Sequence, residues 1–328
     1  MIVLAGDVGG TNARLALVDI GDSSARIVHQ ATYPSPRYPG LAPIIQQFKT
    51  ESGAAPTRAC FGVPGPVIAG TCRTPNLAWT LDTRELIAAS GIPEILLIND
   101  FNAVGHGIGW LGENDVATLR AGTPRPYGQQ LYIGAGTGMG VGIRVHDGRR
   151  WHIVSSEGGH APFPPRNEEE WQLAEWIRRT YQHAAWERIV SGPGLVNIYR
   201  FLVDTRGGEA ESVRNLMQRE DPAAVISTLG VSCGDPLCQK ALQMFLAAYG
   251  SAVGTYACVA VATGGVYLAG GIAPRLVQMM MAGDFIDAFL GTADQRAITE
   301  QLPLHVITRG DVGVIGAAAA AAMQELRS

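Results

Sequence analysis

Two polar residues interrupt an apolar run in Ile95-Leu96-Leu97-Ile98-Asn99-Asp100. A β-prone segment that stops at a carboxamide and a carboxylate delivers both to the carboxyl edge of a sheet, where α/β folds assemble ligand sites. Standing alone, the pair reads equally well as an Asx turn that ends a strand. Ser156-Glu157-Gly158-Gly159-His160 adds a carboxylate and an imidazole around two glycines that allow close ligand approach. Glu187 opens a polar pair, Glu187-Arg188, ahead of two apolar residues. Singly, Glu187 reads as a surface ion-pair residue and His160 as a structural histidine. Together these groups form a mixture of short acceptors and donors without a strong positive field, which suits a neutral polyhydroxyl ligand.

Two glycine-rich turns carry the second kind of chemistry. Ile2 to Leu4 leads into Asp7-Val8-Gly9-Gly10-Thr11, and Gln130 to Ile133 leads into Gly134-Ala135-Gly136-Thr137-Gly138-Met139-Gly140; each is followed by another β-prone run. Both read as hairpins, so the chain looks duplicated at low resolution. No Gly-Lys dipeptide exists for a Walker loop, and Met139 stands where a dinucleotide-binding fingerprint needs its last glycine. A tight glycine turn can still aim several N–H groups at one anion, and a threonine adds a hydroxyl donor. Asp7 inside an apolar strand costs desolvation unless something binds it, and a hydrated Mg²⁺ on a nucleotide would do so. Lysine occurs only at positions 49 and 240, so bound phosphate must be neutralised by backbone N–H groups, metal or arginine.

The bulk of the chain narrows the alternatives. Its 328 residues exceed the roughly 250 to 300 at which one hydrophobic core stops growing, so two lobes are expected. A net charge of −4 with no basic run argues against a nucleic-acid partner. Five cysteines without a CxxC pair suit free thiols in a reducing compartment. The amino terminus lacks the basic start and apolar length of a signal peptide, which makes the cytoplasm the expected location. No HxxxH pair or second cysteine pair supports a zinc site, and no GxSxG supports serine hydrolysis.

The elements that must position these groups are legible in outline. Apolar runs predict strands at Ala59 to Val63, Ile95 to Ile98 and Val266 to Ala269. Helices are predicted over Thr83 to Ser90, from Asn167, over Pro193 to Leu202, from about 236 to 262, and over Val312 to Leu326. Ala241 to Pro274 holds no charged residue and contains a GxxxG spacing, but Thr263-Gly264-Gly265 divides it, so it reads as a buried helix feeding a central strand rather than a membrane span.

Asp7-Val8-Gly9-Gly10-Thr11-Asn12-Ala13-Arg14, Ile98-Asn99-Asp100-Phe101, Gly134-Ala135-Gly136-Thr137-Gly138, Glu157-Gly158-Gly159-His160, Ser191-Gly192-Pro193-Gly194-Leu195 and Ala269-Gly270-Gly271-Ile272 together resemble the motifs of the bacterial glucokinase family in order and spacing. The resemblance runs from the first strand to the last helix. It implies an α/β, two-lobed actin-like ATPase (ribonuclease H-like) fold with an inter-lobe cleft. The smaller lobe would comprise residues 1–110 plus 311–328, and the larger lobe residues 111–310. By the same resemblance, Gly6, Asp7, Val8, Gly9, Gly10, Thr11 and Asn12 form a first phosphate turn, with Asp7 holding Mg²⁺ through water. Gly136, Thr137 and Gly138 form a second, and Gly270 and Gly271 provide the backbone approach for the nucleoside of ATP. Asn99, Asp100, Glu157, His160 and Glu187 would hydrogen-bond glucose, with Asp100 as the base that takes the proton of the 6-hydroxyl. The chain lacks the CxCGxxGCxE zinc cluster of the related ROK sugar kinases, which puts it with the zinc-free branch. A homodimer is implied, although no sequence stripe marks its surface. These residues leave open another hexose or an amino sugar, another phosphoryl donor, or a non-enzymatic actin-like sugar sensor. Pro64-Gly65-Pro66 and Cys233 to Cys238 receive no function.

Overall fold

A computed structural model describes residues 1–21, 24–75, 77–281 and 283–323. The chain divides into two units, Met1–Val116 with Arg309–Ser328, and Ala117–Thr308.

The first unit is built on β1 (Ile2–Val8), β2 (Asn12–Ile20), β3 (Ala25–Pro34), α1 (Leu41–Ser52), β4 (Arg58–Val63), β5 (Thr71–Arg73), β6 (Thr80–Asp82), α2 (Thr83–Ser90), β7 (Glu94–Asn99) and α3 (Asp100–Gly107). Its main sheet has the order β3-β2-β1-β4-β7. The β1-β2-β3 part is an antiparallel meander, and β1, β4 and β7 run parallel. The strands alternate apolar residues to both faces because both faces are covered. One face packs Leu4, Leu15, Phe61 and Leu97 against Ile44 and Phe48 of α1. The other packs Val3, Val18 and Cys60 against the terminal helix, Val312–Met323. Residues 324 to 326 of the predicted last helix lie outside the described residues.

That terminal helix also sits directly on α3, and the approach depends on small residues. A Cβ added at Gly316 would run into the Ala103 carbonyl oxygen, and one at Gly107 into the Val312 carbonyl oxygen. The sequence reading had no helix at α3; eight residues, two of them internal or terminal glycines, give too little 3.6-residue periodicity to see.

The second unit repeats the plan. It contains β8 (Val116–Arg120) from its second residue on, β9 (Gln130–Ala135), β10 (Met139–His146), β11 (Trp151–Ser156), α4 (Glu168–Tyr181), α5 (Gly192–Arg206), α6 (Glu211–Met217), α7 (Pro222–Val231), α8 (Pro236–Ala260), β12 (Gly265–Ala269), α9 (Ala273–Met280), α10 (Asp284–Leu290), α11 (Ala293–Thr299) and β13 (Leu304–Ile307). The sheet order is β11-β10-β9-β12-β13-β8. Its first five strands reproduce the order and directions of the first sheet, antiparallel for β9-β10-β11 and parallel for β9-β12-β13. The duplication read from the two glycine turns is therefore a duplication of whole sheets.

The core of this unit forms around α8. The helix is long and apolar enough to cross a membrane, but 67% of its apolar window is buried inside the unit. It packs along α5, α7 and α10, with Gly250 and Gly254 laid against the Phe285 and Phe289 carbonyls. Asp235 caps its start by accepting from the Cys238 amide, and it ends at Ala260, short of the predicted 262, where Val261 turns left-handed.

Candidate functional site

In the first unit, two carboxylates stand at the carboxyl ends of the parallel strands of one mixed sheet. Asp7 on β1 is in register with Gly62 on β4, which is in register with Ile98 on β7, and Asn99 and Asp100 follow. Two strand spacings of about 4.8 Å separate β1 from β7. Gly62 lets the edge close up: a Cβ there would stand 3.3 Å from the Asp100 Cα and 3.7 Å from the Gly6 carbonyl oxygen.

Asn99 is the N-cap of α3. Its Oδ1 accepts from the amides of Phe101, at 2.9 Å, and Asn102, at 3.3 Å, while Nδ2 donates to the Gly65 carbonyl at 3.2 Å. The Asx geometry read from sequence is thus present, but it starts a helix instead of merely ending a strand. Asp100 is the first helical residue, where the positive end of the helix dipole favours a carboxylate. Its Oδ1 accepts from the Phe101 amide at 2.8 Å. Cys72 lies near enough that the Asp100 charge adds to burial in raising the thiol's pKa, and Cys72 Sγ points to the Pro64 carbonyl at 3.6 Å. Pro64-Gly65-Pro66, given no function by sequence, is the loop that holds Asn99.

The turn between β1 and β2 is tied down from both sides. The Gly9 amide donates to the Asn12 carbonyl at 2.8 Å, Ser35 Oγ donates to the Gly9 carbonyl at 2.7 Å, and the Ser35 amide donates to the Thr11 carbonyl at 3.0 Å. Ser35 is fully buried and was not read as part of the site. Asp7 faces Arg14 across the hairpin. Surrounding protein pushes the Asp7 carboxyl above the usual carboxylate range, and the Arg14 charge pulls it back. Among the described residues no three His, Cys, Asp or Glu side chains gather into a metal cage. A lone hard carboxylate beside a turn of amides fits an ion that keeps its waters and takes phosphate oxygens as ligands, which is the behaviour of Mg²⁺.

In the second unit the β9–β10 turn is a hub. The Gly136 amide donates to the Gly138 carbonyl at 2.9 Å, and the Gly192 amide at the start of α5 donates to the Gly136 carbonyl at 2.8 Å. The Met139 amide donates to Glu187 Oε2 at 3.1 Å. A side chain at Gly138 would strike that same carboxylate, and one at Gly270, where φ is +82°, would strike the Ala135 carbonyl. Ser191 locks the neighbouring backbone, donating from Oγ to the Glu187 carbonyl at 2.7 Å and accepting from the Gly194 amide at 2.9 Å.

Beside this hub opens a cavity of about 610 Å³. Gly136, Thr137, Gly192 and Gly271 form its polar end, and Leu195, Val196, Pro222, Ile272 and Leu276 its apolar walls. Asp221 and Arg275 are the charged residues on it, and sequence reading missed both. Asp221-Pro222 does carry a signal, an N-cap followed by proline at the first helical position, and Asp221 Oδ1 caps α7 through the Ala223 and Ala224 amides. Glu157 and His160 lie on the turn after β11, with His160 Nε2 3.9 Å from Glu157 Oε2 and both side chains exposed. The second unit therefore gathers Gly136, Thr137, Gly138, Glu187, Gly270 and Gly271 around one turn. The first gathers Asp7, Asn99 and Asp100 at one sheet edge.

The chain matches the Glucokinase family model over residues 4–324. It is 40% identical over 337 residues to a glucokinase of Nostoc punctiforme, covering 98% of this chain and 99% of that protein. Among solved structures it is similar to a glucokinase from an Antarctic psychrotroph, with 29% identity, a TM-score of 0.86 and 98% of each chain covered. It shares its fold with a ROK-family glucokinase from Streptomyces griseus solved with glucose and AMPPNP, at 19% identity and a TM-score of 0.66, covering 98% of this chain and 100% of that one.

Proposed function

Since the chain belongs to the glucokinase family and is a glucose-phosphorylating sugar kinase, we propose that it transfers the γ-phosphoryl group of ATP to the 6-hydroxyl of D-glucose with Asp100 as general base. The observation that carries this reading is the shared sheet edge: Asp100 heads α3 two strands from Asp7 and the anion-ready turn. A base near a phosphate turn is what phosphoryl transfer to a hydroxyl needs, because the protein's contribution is mainly positioning and charge stabilisation.

Asp100 accepts the proton as the 6-oxygen forms its bond to the γ-phosphorus and the bond from that phosphorus to the β,γ-bridging oxygen breaks, leaving ADP. Asn99, Glu157, His160 and Glu187 hydrogen-bond the sugar's hydroxyls. The adenosine occupies the cavity of about 610 Å³, its base against Leu195, Val196, Ile272 and Leu276, with Gly271 on the wall letting backbone come close and Gly270 turning the chain against the Ala135 carbonyl. In this reading the amides of Gly10, Thr11, Thr137 and Gly138 face the phosphates, while those of Gly9 and Gly136 close the turns by donating to the Asn12 and Gly138 carbonyls. Asp7 would hold Mg²⁺ through water, and the ion would draw charge from the phosphate oxygens. The Streptomyces griseus relative, solved with both glucose and an ATP analogue, supports this pairing of ligands.

A coupled ADP-release assay with glucose, mannose, fructose and N-acetylglucosamine, using ATP or polyphosphate as donor, tests the reading. It expects glucose with ATP to give the highest kcat/KM. ATP turnover independent of sugar would instead mark a switch-like ATPase.

A further inference from the structure

Glu157 and His160 present a problem of orientation. Their side chains are 73% and 64% exposed, so packing does not aim them. Strand pairing cannot do so either, because the last β10–β11 pair is Val141 with Ser156. Whatever points both groups at one ligand must act on the backbone of the turn between them.

That backbone is held at Gly158. Its carbonyl accepts from the Ala161 amide within the turn, at 3.0 Å, and from the Tyr256 hydroxyl, at 2.5 Å. Tyr256 lies 98 residues away on α8, the buried helix at the centre of the unit. Its ring also lies under Gly158: a Cβ at that position would sit 3.1 Å from Tyr256 Cε1, Cζ and Oη. Any side chain there would make the ring give way by a few tenths of an ångström. Other anchors flank it: Gly159 lies against the Met139 carbonyl, and the Ala161 carbonyl accepts from the Trp186 amide at 3.0 Å. Ser156 Oγ accepts from the Gly158 amide at 3.0 Å, and the exposed His183 meets the His160 carbonyl at 3.0 Å. Half-burial raises the phenol pKa above 10, so the hydroxyl keeps its proton and donates throughout the working range.

From this geometry we infer that Tyr256 is a positioning residue for the sugar: by donating to the Gly158 carbonyl it fixes the Glu157–His160 turn in the form that presents carboxylate and imidazole to the same ligand. The inference rests on the reading of Glu157 and His160 as sugar contacts. A buried helix behind a turn with exposed side chains is an arrangement that can hold binding groups within the tolerance that recognition needs.

Tyr256→Phe removes one hydroxyl and keeps the ring. The expected result is a KM for glucose about three- to tenfold higher, the loss associated with one hydrogen bond, with kcat within about twofold and KM for ATP unchanged. Gly158→Ala, which leaves the hydroxyl but crowds the ring, should give the same selective change. In a cycle with Glu157→Gln, the double variant's KM should fall below the product of the two single effects, because both act through one turn. A wild-type glucose KM in Tyr256→Phe beside a raised KM in Glu157→Gln overturns the inference while leaving the sugar reading intact. Equal rises in the KM of glucose and of ATP, or strictly multiplicative effects, overturn it as well. A wild-type KM in Glu157→Gln removes the sugar reading, and the inference with it.

Discussion

Glu187 Oε2 accepts a hydrogen bond from the Met139 amide at 3.1 Å, so a residue read as a sugar contact is also a brace of the β9–β10 turn. Two substitutions separate these roles. Glu187→Gln keeps an oxygen acceptor for the Met139 amide and should raise the KM for glucose alone. Glu187→Ala leaves that amide unpaired and should raise the KM for ATP as well, by roughly the tenfold or more that goes with losing a hydrogen bond to a charged group. Steady-state kinetics with each substrate varied in turn checks both.

The close contact between the terminal helix and α3 links stability to the candidate base. Gly316→Ala would push a methyl into the Ala103 carbonyl oxygen and force the helices apart. Overpacking of this kind costs about 1–3 kcal/mol. The expected outcome is a lower midpoint of chemical unfolding together with a reduced kcat, since α3 begins at Asp100. Gly313→Ala, on the same helix with open space around its Cβ position, should leave both unchanged.

His305 gives the protein an acid sensitivity with a definite sign. Its Nδ1 lies 3.0 Å from Thr118 Oγ1, its ring lies against Tyr267, and burial depresses its pKa below 6.5. The unfolded chain therefore takes up this proton first as pH falls. The contribution to stability is complete above about pH 6.5 and is lost between there and the lower folded pKa. His305→Phe should flatten that part of the stability profile, measured by unfolding at a series of pH values.

Asp7 should govern the metal requirement. Asp7→Asn removes the hard anionic oxygen while keeping the size of the side chain, so half-maximal activity should need at least several-fold more Mg²⁺, with the KM for glucose little changed. Chelation by EDTA should abolish turnover in the wild type, and added Mg²⁺ should restore it.

Much of the framework was legible in the residues. Asp7 to Thr11 and Gly134 to Gly140 announced hairpins because glycine turns between β-prone runs have few other meanings. Asn99 was ambiguous for a physical reason: an Asx turn and an N-cap use the same side-chain oxygen and nearly the same amides. What sequence did not reveal was long-range. Nothing local tells that Ser35 buttresses the Gly9 carbonyl, that Gly65 holds Asn99, or that Tyr256 reaches Gly158. The walls of the cavity beside Gly136 and Thr137 were missed in part because α7 and α9 are short, although the Asp221-Pro222 cap was there to be read.

The most direct test of the account is the turnover of Asp100→Asn at saturating glucose and ATP. Asparagine retains the oxygen that accepts from the Phe101 amide but cannot take the 6-hydroxyl proton. The account predicts a kcat reduced by about 10² to 10⁴, with the KM for ATP within about threefold of wild type. A kcat within tenfold of the wild-type value would contradict it.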